Sequence, residues 1–94
     1  MPTLTEAAAR SLDERLDAAQ AEAGTAVRLE RRHEDLWTMR LDRKAAGDTV
    51  FNYRGRTVLL MEQSVAETLA NTIVDSGPTA TGDGLILYFN DRVN

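Results

Sequence analysis

The first segment of the chain has apolar residues at the spacing of an α-helix. They recur every three or four residues, at Leu4, Ala8, Leu12, Leu16, Ala19 and Ala23. Thr3 or Thr5 can cap the helix, and Thr3 stands at capping-box spacing from Glu6. Gly24 lies where a helix would stop. The pattern predicts a helix over residues 4–22 that packs its narrow, alanine-rich face into the core rather than onto a partner.

Beyond this helix the apolar positions alternate with polar ones, as in a β-strand. Two such segments, 27–31 and 36–42, predict two strands joined by a charged hairpin tip. The next two segments, 49–53 and 57–61, flank Gly55, which supplies the positive φ that a tight hairpin turn needs. The sequence therefore predicts two hairpins in succession.

The strand after Gly55 contains three consecutive apolar residues, Val58, Leu59 and Leu60. Because successive side chains of a strand point to opposite faces, such a run is buried on both sides. We expect this strand inside a sheet rather than at its edge.

A second, shorter helix is predicted after the fourth strand. Ser64 and Glu67 have the capping-box spacing. Val65, Leu69 and Ile73 fall on one helical face. This face would pack against the core.

Residues 75–84 contain three glycines and a proline, which predicts a loop. The apolar run 85–89 then predicts a final, buried strand. The order is helix, four strands, helix, loop and strand, which indicates the α+β class. With 94 residues, the chain has room for one core, so we expect a single domain over residues 1–94.

The composition excludes several kinds of site. The chain has no cysteine, which removes disulfides, thiolate nucleophiles and cysteine-ligated zinc or iron–sulfur clusters. The N-terminus is charged throughout, without the apolar stretch of a signal peptide, and no run approaches the length of a membrane span. We expect a cytoplasmic protein with no membrane partner.

The net charge of −4 is unevenly distributed along the chain. Residues 1–24 carry −3, residues 28–44 carry +2 and residues 45–94 carry −3. Acidic residues interrupt the basic middle segment, whereas nucleic acids favour an unneutralised positive surface. We therefore expect no nucleic-acid partner, and any self-association should use strand edges or an apolar patch rather than charge.

Four segments carry a resemblance to a known family. They are LTEAAARSLDERL, VRL, GDTVFNYRGRTVLLMEQSVAETLANTIVD and GLILYFND. In this order and spacing they resemble the HesB-like domain of the A-type iron–sulfur cluster carriers. The resemblance implies small mixed β-sheets or a sandwich, with an N-terminal helix and a second short helix. It also implies a relation to iron–sulfur cluster biogenesis.

The chain departs from that family at the cluster ligands. The resemblance places one cysteine in a glycine-rich loop after the Arg-Leu strand and two more in a C-terminal Cys-Gly-Cys. Here the loop reads ERRHEDL, and the chain reaches Asn94 without the cysteine pair. No family ligand carries over, so we expect no cluster and no other cofactor.

The charged hairpin tip holds the only histidine, and three interpretations of it stay open. His33, Glu34 and Asp35 could be the nitrogen and oxygen ligands of a degenerate metal loop, although three successive side chains rarely converge on one ion. His33 could act in acid–base catalysis with a neighbouring carboxylate, but no nucleophile stands at a recognisable spacing. The interpretation that we favour is a solvated turn, with His33 or Asp35 in the left-handed conformation.

Three further motifs are more simply structural than functional. Gly82-Asp83-Gly84 lacks the lysine and the following helix of a phosphate loop, so it predicts a turn. The arginines of Arg54-Gly55-Arg56 could hold an anion, but solvent-exposed charge is their ordinary role. Aromatic residues at 37, 51 and 53 could line a pocket, yet on alternating strands they usually belong to the core.

The sequence thus favours a non-enzymatic, cysteine-free protein of the HesB-like fold that acts as an accessory or protein-interaction module. One alternative is a metal or iron carrier that completes its site with partner chains through His33 and carboxylates. Another is a small enzyme with an unrecognised pocket. The protein partner and the oligomeric state are not specified by the sequence.

Overall fold

The computed structural model describes residues 1–34, 36–80 and 82–89, and it contains both helices and strands. In these residues, nine elements follow in the order β1 (Thr3–Leu4), α1 (Glu6–Ala18), β2 (Thr25–His33), β3 (Leu36–Arg43), β4 (Thr49–Tyr53), β5 (Arg56–Met61), α2 (Gln63–Thr68), β6 (Ile73–Thr79) and β7 (Gly82–Tyr88). The predicted α+β class is confirmed.

The strands form two mixed sheets. One sheet has the order β1-β6-β7 and the other has the order β3-β2-β5-β4. The pairs β1–β6 and β2–β5 are parallel, and the remaining neighbours are antiparallel. Helix α1 contacts β2, β4 and β5 of the larger sheet and β6 of the smaller one, so it joins the two sheets.

Helix α1 forms where the apolar period predicted it, but it is shorter. The Thr5 hydroxyl accepts a hydrogen bond from the Ala8 backbone N–H at 3.1 Å and so caps the N-terminus. Leu12 and Leu16 are buried as predicted, whereas the predicted core residue Ala19 is exposed. Gln20 adopts a φ of 54°, and this left-handed residue ends the helix well before Gly24.

The ends of the predicted helix 4–22 belong to other structures. At its N-terminal end, Thr3 and Leu4 form β1, which pairs with Ile73 and Val74 of β6. The parallel pairing provides hydrogen-bond partners for backbone N–H and C=O groups that would have bonded within the helix if the helix had begun earlier. Neither described helix is long and apolar enough to cross a membrane.

Strand β5 lies inside the larger sheet, as its apolar run predicted. Val58, Leu59 and Leu60 are all buried, with Leu59 completely inaccessible to solvent. The strand is hydrogen-bonded to β2 on one side and β4 on the other. The main core forms where Leu59 packs with Leu12 and Leu16 of α1.

Both predicted hairpins of the larger sheet are confirmed. The first pairs β2 with β3, and its strands extend a few residues beyond 27–31 and 36–42. The second pairs β4 with β5 around Arg54 and Gly55. These two residues have φ values of 52° and 79°, the two left-handed positions that a tight hairpin turn with the correct twist requires.

The predicted second helix was too long and its cap was wrong. Helix α2 begins at Gln63, after Glu62, and no side-chain capping hydrogen bond is present. It ends at Thr68, and Ile73, predicted to lie on its apolar face, instead opens β6 with 46% of its surface exposed. The backbone N–H of Thr72 bonds to the Leu69 carbonyl oxygen at 2.9 Å in the turn between the two elements.

The predicted loop 75–84 was also wrong, because its described residues belong mainly to β6 and β7. Gly77 pairs with Gly84 across this antiparallel hairpin. A Cβ atom at Gly77 would stand 2.6 Å from the terminal Cδ1 atom of Ile86, so the Ile86 side chain lies close beside this glycine and would have to shift for a larger residue. The final strand is only half-buried, and Tyr88 and Phe89 are 53% and 52% exposed.

Candidate functional site

The charged hairpin tip places its candidate ligands in solvent. His33 ends β2 and is exposed, as is Glu34, while Asp35 lies outside the described residues. Among the residues described, no group of three or more His, Cys, Asp or Glu side chains could hold a metal ion. Among the described residues, Gln20 and Arg54 are the non-glycine residues with positive φ, so His33 does not adopt the left-handed conformation. The alternative that we predicted, a left-handed Asp35, lies outside the described residues.

An aromatic contact joins the hairpin tip to the end of β7. The ring centroids of Trp37 and Phe89 are 6.5 Å apart, with the planes tilted by 41°. The Arg31 guanidinium lies 5.7 Å from the Trp37 ring centroid and donates a hydrogen bond to the Glu34 carbonyl oxygen at 3.0 Å. The tip of the first hairpin and the exit of the last strand are therefore neighbours in space.

The other aromatic candidates do not form a shared pocket with Trp37. Phe51 and Tyr53 lie on β4, whereas Trp37 lies on β3, at the opposite edge of the same sheet. All three side chains are half-buried and pack against the main core. Their positions are those of ordinary core residues at the two margins of a sheet.

A buried ion-pair network, which the sequence did not reveal, is centred on Arg28. This arginine lies on β2 and is only 4% exposed. Its Nε atom donates to Asp42 Oδ2 at 2.7 Å. Its Nη1 and Nη2 atoms donate to the two carboxylate oxygens of Asp48 at 3.0 and 2.5 Å. The fork of the guanidinium thus matches the Asp48 carboxylate with two hydrogen bonds.

Asp48 and Arg28 also hold the connection between β3 and β4. Asp48 Oδ2 accepts a hydrogen bond from the Ala45 backbone N–H at 2.7 Å. Arg28 Nη2 donates to the Arg43 carbonyl oxygen at 3.2 Å. These bonds fix both ends of the connecting loop over the sheet. An open cleft of about 520 Å³ lies beside it, with Glu62 and Ser64 on the far wall.

The charges of the network compensate one another. The hydrogen bond from Arg28 holds the pKa of Asp48 below its usual range, and burial only partly opposes this effect. Hydrogen bonds from the Arg43 backbone N–H and from Arg28 likewise lower the pKa of Asp42. No buried side-chain nitrogen or oxygen of the described residues lacks a hydrogen-bond partner. At neutral pH the network therefore has the chemistry of a structural clamp rather than of an acid or a base.

The remaining motifs also have structural partners. Arg56 forms ion pairs with Asp13 at 3.1 Å and Asp17 at 2.8 Å on α1, so it ties the second hairpin to the helix. The Arg54 guanidinium lies 5.1 Å from the Tyr53 ring centroid. The two arginines therefore have separate partners within the chain, and the Gly82-Asp83-Gly84 motif opens β7.

The smaller sheet exposes an apolar pair on its outer face. Ile73 and Tyr88 are directly opposite each other in β6 and β7, and 46% and 53% of their surfaces are accessible. Asp75 and Ile86 form the next pair on this face, and Ile86 is half-buried. We call Ile73, Ile86 and Tyr88 the outer patch. Adjoining exposed apolar residues, rather than singly scattered ones, are the feature that can mark a contact surface, so the outer patch is a candidate for one.

Comparisons with known proteins support the fold. No family model matches the sequence, and no curated protein matches it. A crystal structure of IscA with a 2Fe–2S cluster is 21% identical and aligns with a TM-score of 0.61, covering 97% of this chain and 86% of that one. The crystal structure of Escherichia coli SufA, involved in biosynthesis of iron–sulfur clusters, is also 21% identical, with a TM-score of 0.70 and coverage of 97% and 87%. The chain therefore has the HesB-like fold of IscA and SufA, in a version without cysteine.

Proposed function

We propose that this protein is a non-enzymatic accessory module of iron–sulfur cluster assembly, which acts through protein contacts and holds no cluster itself. One observation carries the proposal: the fold of IscA and SufA extends over 97% of a chain that contains no cysteine. Iron–sulfur clusters are held mainly by thiolates, because soft sulfur donors suit the iron. Without thiolates, this version of the fold lacks the usual ligands of a cluster.

The surroundings of the hairpin tip support a role without a cluster. The resemblance places cysteines in this tip and in the tail that follows the last strand. In this chain, Trp37 and Phe89 make an aromatic contact between those two regions. His33 offers one imidazole in an exposed position, whereas known histidine ligation of a cluster iron uses two histidines together with cysteines on the other iron.

Anaerobic reconstitution tests the absence of a cluster. The purified protein is incubated with ferrous iron and sulfide, desalted, and assayed for iron, sulfide and visible absorption, with SufA treated in parallel as the positive control. We expect SufA to acquire a cluster and this protein to acquire none. Stoichiometric iron that survives desalting and is lost in His33→Ala would contradict the proposal and favour a metal carrier.

A cluster-transfer assay tests the accessory role. Cluster-loaded SufA is mixed with an apo-ferredoxin, and the transfer rate is measured with and without this protein. We expect this protein to change the rate of cluster transfer without acquiring iron, because it would bind the carrier or the acceptor through the outer patch. Tyr88→Glu should abolish the effect, whereas Ala18→Glu, which adds the same charge at an exposed position of α1, should preserve it. An unchanged rate with the wild-type protein would contradict the proposed role.

A further inference from the structure

Strand β3 carries apolar side chains on the face of the sheet that bears the main core. Trp37, Met39 and Leu41 alternate along the strand, so all three point to this face. We call these three residues the β3 stripe. Trp37 and Met39 pack against the core and are half-buried, whereas Leu41 is 44% exposed. The stripe extends about 13 Å along the strand, and the core covers it only in part.

The β3 stripe borders a small apolar groove beside helix α1. The groove has a volume of about 230 Å³, and its apolar walls are Ala19 of the helix region and Val27, Met39 and Leu41 of the sheet. Pockets that enclose a whole small molecule usually measure about 300–1,000 Å³. Protein interfaces, in contrast, often place a single large side chain of one partner in a pocket of the other. The size of the groove therefore suits one anchoring side chain of a protein partner.

An exposed arginine lies at each end of the β3 stripe. Arg15, in the last turn of α1, lines the groove, and its Nη2 atom donates a long hydrogen bond of 3.4 Å to the Asp83 carbonyl oxygen. At the other end, the Arg31 guanidinium lies 5.7 Å from the Trp37 ring centroid. Neither arginine forms an ion pair with another described residue. Both guanidinium groups therefore retain N–H donors for a carboxylate from outside the chain.

We propose that the β3 stripe binds an acidic, amphipathic segment of another protein. A large apolar side chain of this segment occupies the groove, and two of its carboxylates accept hydrogen bonds from Arg15 and Arg31. Charge complementarity selects this class of partner, because lysines at the same positions would be repelled by both arginines. The stripe lies on the larger sheet and the outer patch on the smaller one, so this inference goes beyond the proposed function.

The acidic residues of the same hairpin point to the opposite face of the sheet. Glu30 of β2 and Asp42 of β3 alternate with the apolar residues of their strands. On that opposite face they form ion pairs with Arg40, at 2.9 and 3.2 Å. They are therefore held away from Arg15 and Arg31, and the positive charge at both ends of the stripe remains available to an acidic segment.

Titration with three synthetic peptides, followed by amide NMR spectra of the isotope-labelled protein, tests the proposal. The first peptide is Asp-Leu-Phe-Leu-Asp, in which the aspartates of an extended chain are about 13 Å apart, as are the ends of the stripe. The second replaces both aspartates by lysine, and the third replaces the apolar centre by three alanines. We expect the first peptide to shift the signals of Ala19 and residues 37–41. It should bind at least about tenfold more tightly than either of the others.

A charge reversal in the protein tests whether the two arginines select the partner. The double variant Arg15→Glu/Arg31→Glu should bind the aspartate peptide at least about tenfold more weakly and should prefer the lysine peptide. Arg10→Glu/Arg54→Glu makes the same charge change at exposed positions away from the stripe and should keep the wild-type preference. The proposal is overturned if the aspartate peptide shifts no signal of residues 37–41 at about 5 mM, or if the charge reversal leaves the preference unchanged. Tighter binding of oligothymidylate than of the aspartate peptide would also overturn it, because the arginines would then serve phosphate groups.

Discussion

Replacing Asp48 with alanine should strongly destabilise the fold, because it leaves a buried arginine without its main partner. Arg28 is 4% exposed, and two of its hydrogen bonds go to the Asp48 carboxylate. Removing one member of a buried ion pair costs about 3–5 kcal/mol, since the remaining charge is desolvated and uncompensated. Asp42 retains one bond to Arg28, which places the expected loss near the lower end of that range. Urea unfolding followed by circular dichroism at pH 7 measures it.

Arg28→Met is the complementary change and should have a distinctive pH dependence. In the wild-type protein, the lowered pKa of Asp48 means that the ion pair contributes fully above the unfolded carboxyl pKa of about 4 and is lost as the pH falls through the folded value. Without Arg28, burial raises the pKa of Asp48, so protonation relieves the buried charge. The stability deficit of Arg28→Met should therefore shrink as the pH is lowered from 7 towards 4.

The double variant Arg28→Met/Asp48→Asn separates charge from packing. The asparagine oxygen can still accept the hydrogen bond from the Ala45 N–H, and neither buried charge remains. Replacing a buried ion pair by neutral groups is often nearly neutral, so the double variant should recover most of the loss of the single variants. A cost below about 1 kcal/mol for Asp48→Ala, or an Arg28→Met deficit that does not change with pH, would show that the ion pair does not stabilise the fold as a buried charge pair.

Three further substitutions test the packing and the turn by urea unfolding. Leu59→Ala should cost about 2–5 kcal/mol because the side chain is fully buried, and a loss below half a kcal/mol would place it at the surface. Gly77→Ala should cost less than about 1 kcal/mol because the terminal methyl of the half-buried Ile86 side chain can move aside, and a loss above about 2 kcal/mol would show that Ile86 is held in place. Arg54→Asn should stabilise the hairpin by about 0.5 kcal/mol because asparagine tolerates positive φ, and destabilisation would show that the Tyr53 contact dominates.

Local patterns predicted most of the larger sheet. The alternation in β2 and β3, the apolar run of β5 and the glycine turn at Gly55 are determined by residues close in sequence. Their physical causes, side-chain period and backbone φ, act within a few residues. The predicted strands of the larger sheet therefore agree closely with the observed ones, and the errors are confined to the ends of these strands.

The smaller sheet could not be predicted in the same way because its strands depend on distant partners. Gly77 and Pro78 disfavour a regular strand when read locally. In the structure, Gly77 pairs with Gly84 of β7, and the Ile86 side chain occupies the space beside it. Thr3 and Leu4 are extended only because they pair with β6, about seventy residues later in the chain. The helical and strand periods of the sequence depend on neighbouring residues, so they do not indicate contacts between residues this far apart.

The Arg28 network was missed for a related reason. In an alternating strand, Arg28 between Val27 and Leu29 is read as a solvent-facing residue. Asp48 lies 20 residues further along, beyond β3, and the loop before it folds back over the open face of the sheet. An arginine inside an apolar strand, followed at hairpin distance by acidic residues, is the signal that could have indicated it.

The same structure explains why a version of this fold can exist without metal ligands. The core formed by α1 and β5 is built from aliphatic side chains, and the loop between β3 and β4 is held by the Arg28 network. The charged residues 31–34 of the hairpin tip are not part of this core or of the network, whereas Trp37, which follows the tip, packs against the core and contacts Phe89. Because the aliphatic core and the Arg28 network do not include the charged residues of the hairpin tip, the fold does not depend on which residues the tip carries.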